Sequence, residues 1–353
     1  MNNFRAGASL YRVRCFIYGA LAFANLLIFR EERSMFIIPR VSKVLSLCLL
    51  ISGLGLTACG GADRSSALET DHTKLTTATE DGDFDGLMAE ADAAWQKRID
   101  KAELLKAISL WEKAALTATP ALSAEERADK LATIFETLSR AYYFLADSHI
   151  RLEAKDDELD DKIMATFEKG VTSSEKAIAI RDPKFAAAVA ADRNAWKSAV
   201  KSADPKALPA LYWYSTNLGK WALLEGIATI LSRKDDIKAT MDWVVSTDAT
   251  YFYGAPYRYF GAYHSKVPIG GGNPAASKES FDKSIEIAPN YLATKVLKAD
   301  QYAVLVGDRE LFEKLLNEVI SAAPNAEPAI DPENELEKRK AKRLLANADE
   351  YFY

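Results

Sequence analysis

Cysteine is absent from everything after residue 59. The chain of 353 residues has only Cys15, Cys48 and Cys59. A disulfide framework and a thiolate metal site are therefore both unavailable to the remaining body, and no cysteine nucleophile survives there. Histidine is nearly as scarce. His72, His149 and His264 are scattered, with no His-x-x-x-His or His/Cys spacing, so no histidine metal site is expected. An excess of positive charge is also missing: 45 basic against 50 acidic residues give a net charge of −5, which leaves no surplus to neutralise nucleic-acid phosphates. No Gly-x-Ser-x-Gly occurs. The glycine-rich loop at 267–274 lacks both a preceding strand and a following Lys-Ser/Thr, so neither a hydrolase elbow nor a phosphate loop is expected. The acidic run at 156–161 lacks the glycine and spacing of a calcium loop. Catalysis and a cofactor are not expected.

What is present begins at the N-terminus. Residues 35–59 read MFIIPRVSKVLSLCLLISGLGLTAC, with Arg40 and Lys43 ahead of an apolar run at 44–56 that is too short to span a bilayer. The stretch ends in Leu56-Thr57-Ala58-Cys59, which resembles the bacterial lipobox. That resemblance implies acylation of Cys59, cleavage before it, and a lasting anchor of two or three acyl chains at about 0.8 kcal/mol per buried CH₂. Gly60 rather than Asp follows Cys59, which by the familiar lipoprotein sorting preference implies the outer membrane of a Gram-negative envelope, on its periplasmic face. Residues 1–34 precede a complete signal and read as a mis-assigned start. Cleavage before Cys59 would take seven basic and two acidic residues away and leave a net charge of −10. Residues 60–83 are Gly, Ser, Thr, Asp and Glu with few large apolar side chains, expected as a flexible tether spanning about 27 Å.

Beyond Phe84 strand signals are nearly absent, and apolar residues recur at helical spacing, as in Leu131, Ile134, Phe135, Leu138, Tyr142 and Leu145. Breaks fall at 119–123, 182–183, 204–205, 268–274, 289–290 and 324–332. A small–large–small motif recurs at spacings of four and three: Ala107/Trp111/Ala114, Ala239/Trp243/Ser246 and Ser277/Phe281/Ser284, with degenerate copies Gly170/Ser174/Ala177 and Phe312/Leu316/Val319. Tyr257, Phe260-Gly261 and His264 fit the matching first helix, as do Phe135, Leu138-Ser139 and Tyr142. Pro289 and Pro324 are 35 residues apart, close to the tetratricopeptide period of 34. The expectation is an all-α domain over 84–353: tetratricopeptide-like hairpins stacked into a compact superhelix, closed by a helix at 334–352. An unrelated helical bundle remains the alternative.

The lipobox, the divergent repeats and the run at 254–319 together resemble the TatT family, the T-components of TRAP transport systems. LYWYSTNLGKW at 211–221 looks like its central Trp-rich helix. The resemblance implies a periplasmic lipoprotein with a pore or groove that partners a substrate-binding P-component, with a possible trimeric assembly. The residues by themselves support a tethered interaction scaffold, so a structural role in envelope assembly stays open.

Candidate binding residues are Arg258, Tyr257, Trp213, Asn217 and Tyr214. Arg258 stands among aromatics, where a guanidinium can take a carboxylate bidentately or simply stack as a structural side chain. Tyr212, Trp213, Tyr214 and Trp221 are either core or the lining of a groove. Asn217 needs amide partners in that setting, from a ligand or a backbone carbonyl.

Overall fold

The computed structural model describes residues 64, 66–70, 72–119, 121–153, 159–266 and 272–352. The expected leader, Cys59 and Gly60 lie outside the described residues. The fold is all-α. Among the described residues the one strand-like feature is an isolated bridge between Glu80 and Thr117. No helix there is long and apolar enough to cross a membrane.

The helices are set by caps legible in the sequence. Asp83 accepts from Gly86 N–H to start α1 (Phe84–Gln96), and Asp100 from Ala102 N–H to start α2 (Lys101–Leu116). Ser123 and Glu126 form a reciprocal capping box at the head of α3 (Ala124–Phe144), which runs on through a π-turn (Leu145–Ile150). α4 (Asp160–Arg181) ends at Asp182, whose side chain caps α5 (Pro183–Ala191), with Pro183 in the first turn where its missing N–H costs nothing. α6 (Leu208–Glu225) and α7 (Ile227–Thr247) are joined through Gly226 at φ 137°. α8 (Tyr251–Lys266) is followed by α9 (Pro274–Ile287), with Asn273 as cap and Pro274 as first residue. A second π-turn (Lys298–Ala303) extends α10 (Leu292–Leu297). α11 (Arg309–Ser321) and α12 (Asp331–Ala346) complete the chain's described helices of a dozen residues or more.

Successive helices pack as antiparallel neighbours: α1 on α2, α3 on α4, α6 on α7, α8 on α9, and α10 with its π-turn on α11. The small residues explain how closely they approach. Ser139 on α3 donates to Gly170 C=O on α4 at 2.8 Å and meets Ser174 Oγ at 2.6 Å. Ser277 on α9 donates to Gly261 C=O on α8, and the Phe281 ring lies where a Cβ on Gly261 would fall 2.6 Å from it. Ala107/Trp111/Ala114, Ser174/Ala177, Ser277/Phe281/Ser284 and Phe312/Leu316/Val319 are all buried. The copy on α7 is only partly seated: Trp243, Thr240 and Val244 are buried, whereas Ala239 is half-buried and Ser246 is exposed.

Two hydrophobic clusters result. The larger holds α1 to α8; the smaller holds α10, α11 and the end of α12. The ends of the array are tied together, because Arg98 after α1, 2% exposed, donates to Glu333 on α12 at 2.7 Å and to Ala329 C=O at 2.6 Å. Lys340 on α12 likewise pairs with Asp147 in the first π-turn at 2.8 Å.

One expectation fails here. The supposed flexible tether is docked over its described part. Arg64 pairs with Glu175 on α4, Leu68 is buried, Arg127 donates to Thr76 C=O, and Glu80 pairs backbone to backbone with Ala118. The composition was polar enough to read as coil, but Glu175 supplies a buried partner that a composition argument cannot see.

Candidate functional site

The two clusters do not merge completely, and a cavity of about 610 Å³ lies where their walls meet. Its apolar wall includes Tyr143, Phe144, Trp213, Phe252 and Leu344. Its polar side is supplied by both π-turns (Asp147, Asp300, Gln301) and by α12 (Glu333, Glu337, Lys340). π-turns widen a helix locally and recur at functional sites. Here both face the same space.

Arg258 forms part of the wall at 6% exposure. Its guanidinium lies over the Tyr291 ring at 4.2 Å and donates to Thr294 Oγ1 at 3.3 Å. It also donates to the carbonyls of Tyr253 (3.1 Å) and Phe252 (3.3 Å). Those two carbonyls belong to an unusual piece of backbone. Phe252, Tyr253 and Gly254 are consecutive residues at φ 41°, 61° and 68°, a left-handed turn before α8 proper. Left-handed non-glycine residues cost roughly 1–2 kcal/mol each, and Arg258 holds the turn from inside. The turn places Phe252 against Trp213 (4.9 Å between ring centres) and stacks Tyr253 on Tyr291 (5.2 Å, 10°).

Charge bookkeeping in the wall is informative. Asp147 pairs with Lys220 and Lys340, Glu337 with Lys340, and Glu333 with Arg98 and Arg140. Burial alone raises the pKa of Asp147, but Lys220 and Lys340 overcome it and hold the carboxyl well below the usual range. Burial likewise opposes the charge on Lys340, and Asp147 and Glu337 restore it, leaving its pKa raised. Arg258 has no carboxylate partner among the described residues; its neighbours are tyrosines, carbonyls and a threonine hydroxyl. Gln301 Oε1, in the second π-turn, is a buried acceptor with no donor among the described residues. Asp300 beside it carries no ion pair among the described residues.

The sequence candidates separate cleanly. Arg258 and Trp213 line the cavity, as does Tyr212. Asn217 does not. It is fully buried between α3, α4 and α6, where its amide donates to Ser139 Oγ and to the carbonyls of Ser139 and Trp213, and its Oδ1 faces Gly170. Tyr214 points to the opposite side of α6 and stacks on Trp196 at 4.6 Å, its hydroxyl pKa pushed up by burial. Tyr257 is half-buried beside Lys278 and Lys283 in a shallow surface depression outside the cavity. Helical spacing could not sort these residues, because α6 is buried nearly all round. Tyr143, Asp147, Lys220, Tyr291, Gln301 and Lys340 were missed. Their only sequence trace is an unusual density of charge and tyrosine at helix positions that otherwise carry the apolar period.

A sequence model described as TRAP transporter T-component matches residues 130–352. The chain belongs to this family. No curated protein matches it. The family match takes in every cavity-lining residue named above, and it omits α1 and α2, whose Arg98 nevertheless holds the T-component's closing helix.

Proposed function

We propose that this T-component is a periplasmic lipoprotein, anchored through Cys59 in the outer membrane, that docks the substrate-binding P-component of its transporter and shares with it a ligand carrying a carboxylate and an apolar body. The observation behind this reading is Arg258: a guanidinium buried in a cavity wall of aromatic rings, with no carboxylate among the described residues to balance it. An ionised group held out of water without a partner is costly, and a carboxylate bound there would relieve that cost with bidentate geometry. Three of its five donors go to the carbonyls and Thr294, and Tyr212 lies within hydrogen-bonding reach of the guanidinium, so a bound carboxylate would replace part of that set. Trp213, Phe252 and Tyr143 would cover the apolar body. A cavity of this size suits a small organic acid. Leu223 (52% exposed) and Ile227 (55% exposed) at the α6–α7 turn, the first of them on the cavity rim, offer apolar contact for the docking partner. The stacked hairpins, read as tetratricopeptide-like, supply a protein-binding scaffold, and a trimer is the assembly the family resemblance implies.

Calorimetric titration with octanoate and with octanol tests the ligand half. Octanoate alone should bind, and Arg258→Gln should abolish it; equal binding of both, or binding indifferent to Arg258, overturns the assignment. Affinity capture from periplasm in mild detergent tests the docking half. Recovery of a TRAP substrate-binding protein is expected, and its repeated absence with folded bait refutes the role.

A further inference from the structure

Glu175 on α4 is a buried carboxylate, 1% exposed, and among the described residues its hydrogen-bond donors belong to the chain just after Cys59. Arg64 reaches both of its oxygens, at 2.6 and 3.1 Å, Ser66 Oγ donates at 3.0 Å, and Ala67 N–H donates at 2.9 Å. Leu68 is buried alongside, against α4 and α5. The arm is therefore clasped to one side of the body. Arg64 is the fifth residue after Cys59, a contour of at most about 18 Å.

The surface beside that clasp carries a row of exposed basic side chains. Arg193 and Trp196 share a small crevice with Arg64, Ser66 and Leu68. From Arg193 the chain runs as one helical stretch to Ser202, so Arg193, Lys197 and Lys201 recur every fourth residue on its solvent side, while Trp196 and Val200 face inward. Exposed Lys184 and Lys206 flank the stripe. Acids stand among them and are mostly engaged: Asp192 and Asp204 cap Asn194 and Lys206, Asp235 approaches Lys197 at 3.7 Å, Asp236 lines the same crevice beside Arg233, and Glu168 lies 3.9 Å from Arg64, while Glu69 on the arm is exposed. On α5, next to the arm, the exposed residues include Ala187, Ala188, Ala190 and Ala191, which allow close approach to a flat partner.

We propose that this face, centred on Arg193, Lys197 and Lys201, lies against the anionic phospholipid leaflet that holds the acyl chains of Cys59, so that the clasp at Glu175 fixes the orientation of the whole body on the membrane. This rests on the lipid-anchor reading above. The leash is too short to let the clasped side wander far from the headgroups, and each basic residue near an anionic surface strengthens binding by roughly fivefold. The face shares no residue with the cavity, so membrane contact leaves the ligand route open.

The test uses the processed lipoprotein purified from cells, with acylation of Cys59 verified by mass spectrometry, reconstituted into phosphatidylcholine vesicles with or without 30% phosphatidylglycerol. Donor dyes at Ala190→Cys on α5 and, separately, at Ala275→Cys on α9 report energy transfer to a headgroup acceptor. The expected result is stronger transfer from position 190 than from 275 in phosphatidylglycerol vesicles. That difference should disappear in 0.5 M salt or in the variant Arg193→Glu/Lys197→Glu/Lys201→Glu, which weakens surface contact roughly a hundredfold or more. The milder Gln triple variant should lie between. Circular dichroism verifies the fold of each. Transfer that is equal from both positions and indifferent to phosphatidylglycerol and charge reversal overturns the proposed face alone. An unmodified Cys59 overturns the anchor and this face together.

Discussion

Two helix-interior glycines should respond to the same substitution with opposite signs. In Gly261→Ala the new methyl group arrives 2.6 Å from three atoms of the Phe281 ring. Ordinary carbon contacts begin near 3.4 Å, so the ring must retreat by almost an ångström, and Phe281 is fully enclosed. Overpacking of this kind costs about 1–3 kcal/mol, of which the better helix propensity of alanine returns up to about 1 kcal/mol. Because the enclosed Phe281 ring has no open space to retreat into, the overpacking cost falls in the upper half of that range, and the net expectation is a loss of about 1–2 kcal/mol. In Gly219→Ala on α6 the nearest atom is Ile237 Cδ1 at 3.8 Å, an unstrained contact. The same propensity term then acts alone and stabilises by about 0.5–1 kcal/mol. At roughly 2–4 °C per kcal/mol for a domain of this size, the first variant melts about 2–8 °C below the parent and the second about 1–4 °C above it. Differential scanning calorimetry at fixed pH and urea titration would measure both. If Gly261→Ala equals or exceeds the parent, Phe281 is not seated on that glycine and the account of how α8 meets α9 is wrong.

Arg98→Met should destabilise by about 3 kcal/mol, because Glu333 keeps only Arg140 as a partner; in urea titration its effect and that of Glu333→Leu should combine to less than their sum. Burial lowers the pKa of His149 below its ordinary 6.5, with Arg98 C=O holding the Nε2 side at 2.9 Å. The folded state therefore binds this proton less readily than the unfolded chain, so the contribution of His149 is complete above about pH 6.5 and is lost as pH falls below it. His149→Gln should flatten that part of the stability–pH curve between pH 7 and 5, and an unchanged slope would refute the assignment. Arg258→Lys should keep the cation but lose the fork that spans the Phe252 and Tyr253 carbonyls. It should lower both thermal stability and octanoate affinity, the latter by about tenfold or more; retention of both would show that the left-handed turn does not depend on the guanidinium.

Much of the fold could be read from residue order, since helix ends are local events. Ser123-x-x-Glu126, Asp182-Pro183 and Asn273-Pro274 each cap or start a helix with side chains a few residues away, and the small–large–small spacing names the faces that must meet. The site was less accessible. Trp213 and Asn217 stand one helical turn apart, yet one lines the cavity and the other anchors three helices, because α6 is surrounded on all sides. A helical wheel distinguishes inside from outside and cannot distinguish two insides. Both π-turns were invisible, as nothing in Leu145–Ile150 or Lys298–Ala303 marks a widened helix.

Order along the chain, then, determined which segments coil, where they stop, and which small residues admit a neighbouring helix, all decided by interactions within about five residues or by volume alone. Only the tertiary structure decided that Glu175 takes its donors from residues 64–67, that Arg98 reaches Glu333 across 235 positions, and that Arg258 is buried without a carboxylate. Those are matters of charge kept from water, and which charges are kept from water is settled by packing over the whole chain rather than by any stretch of it.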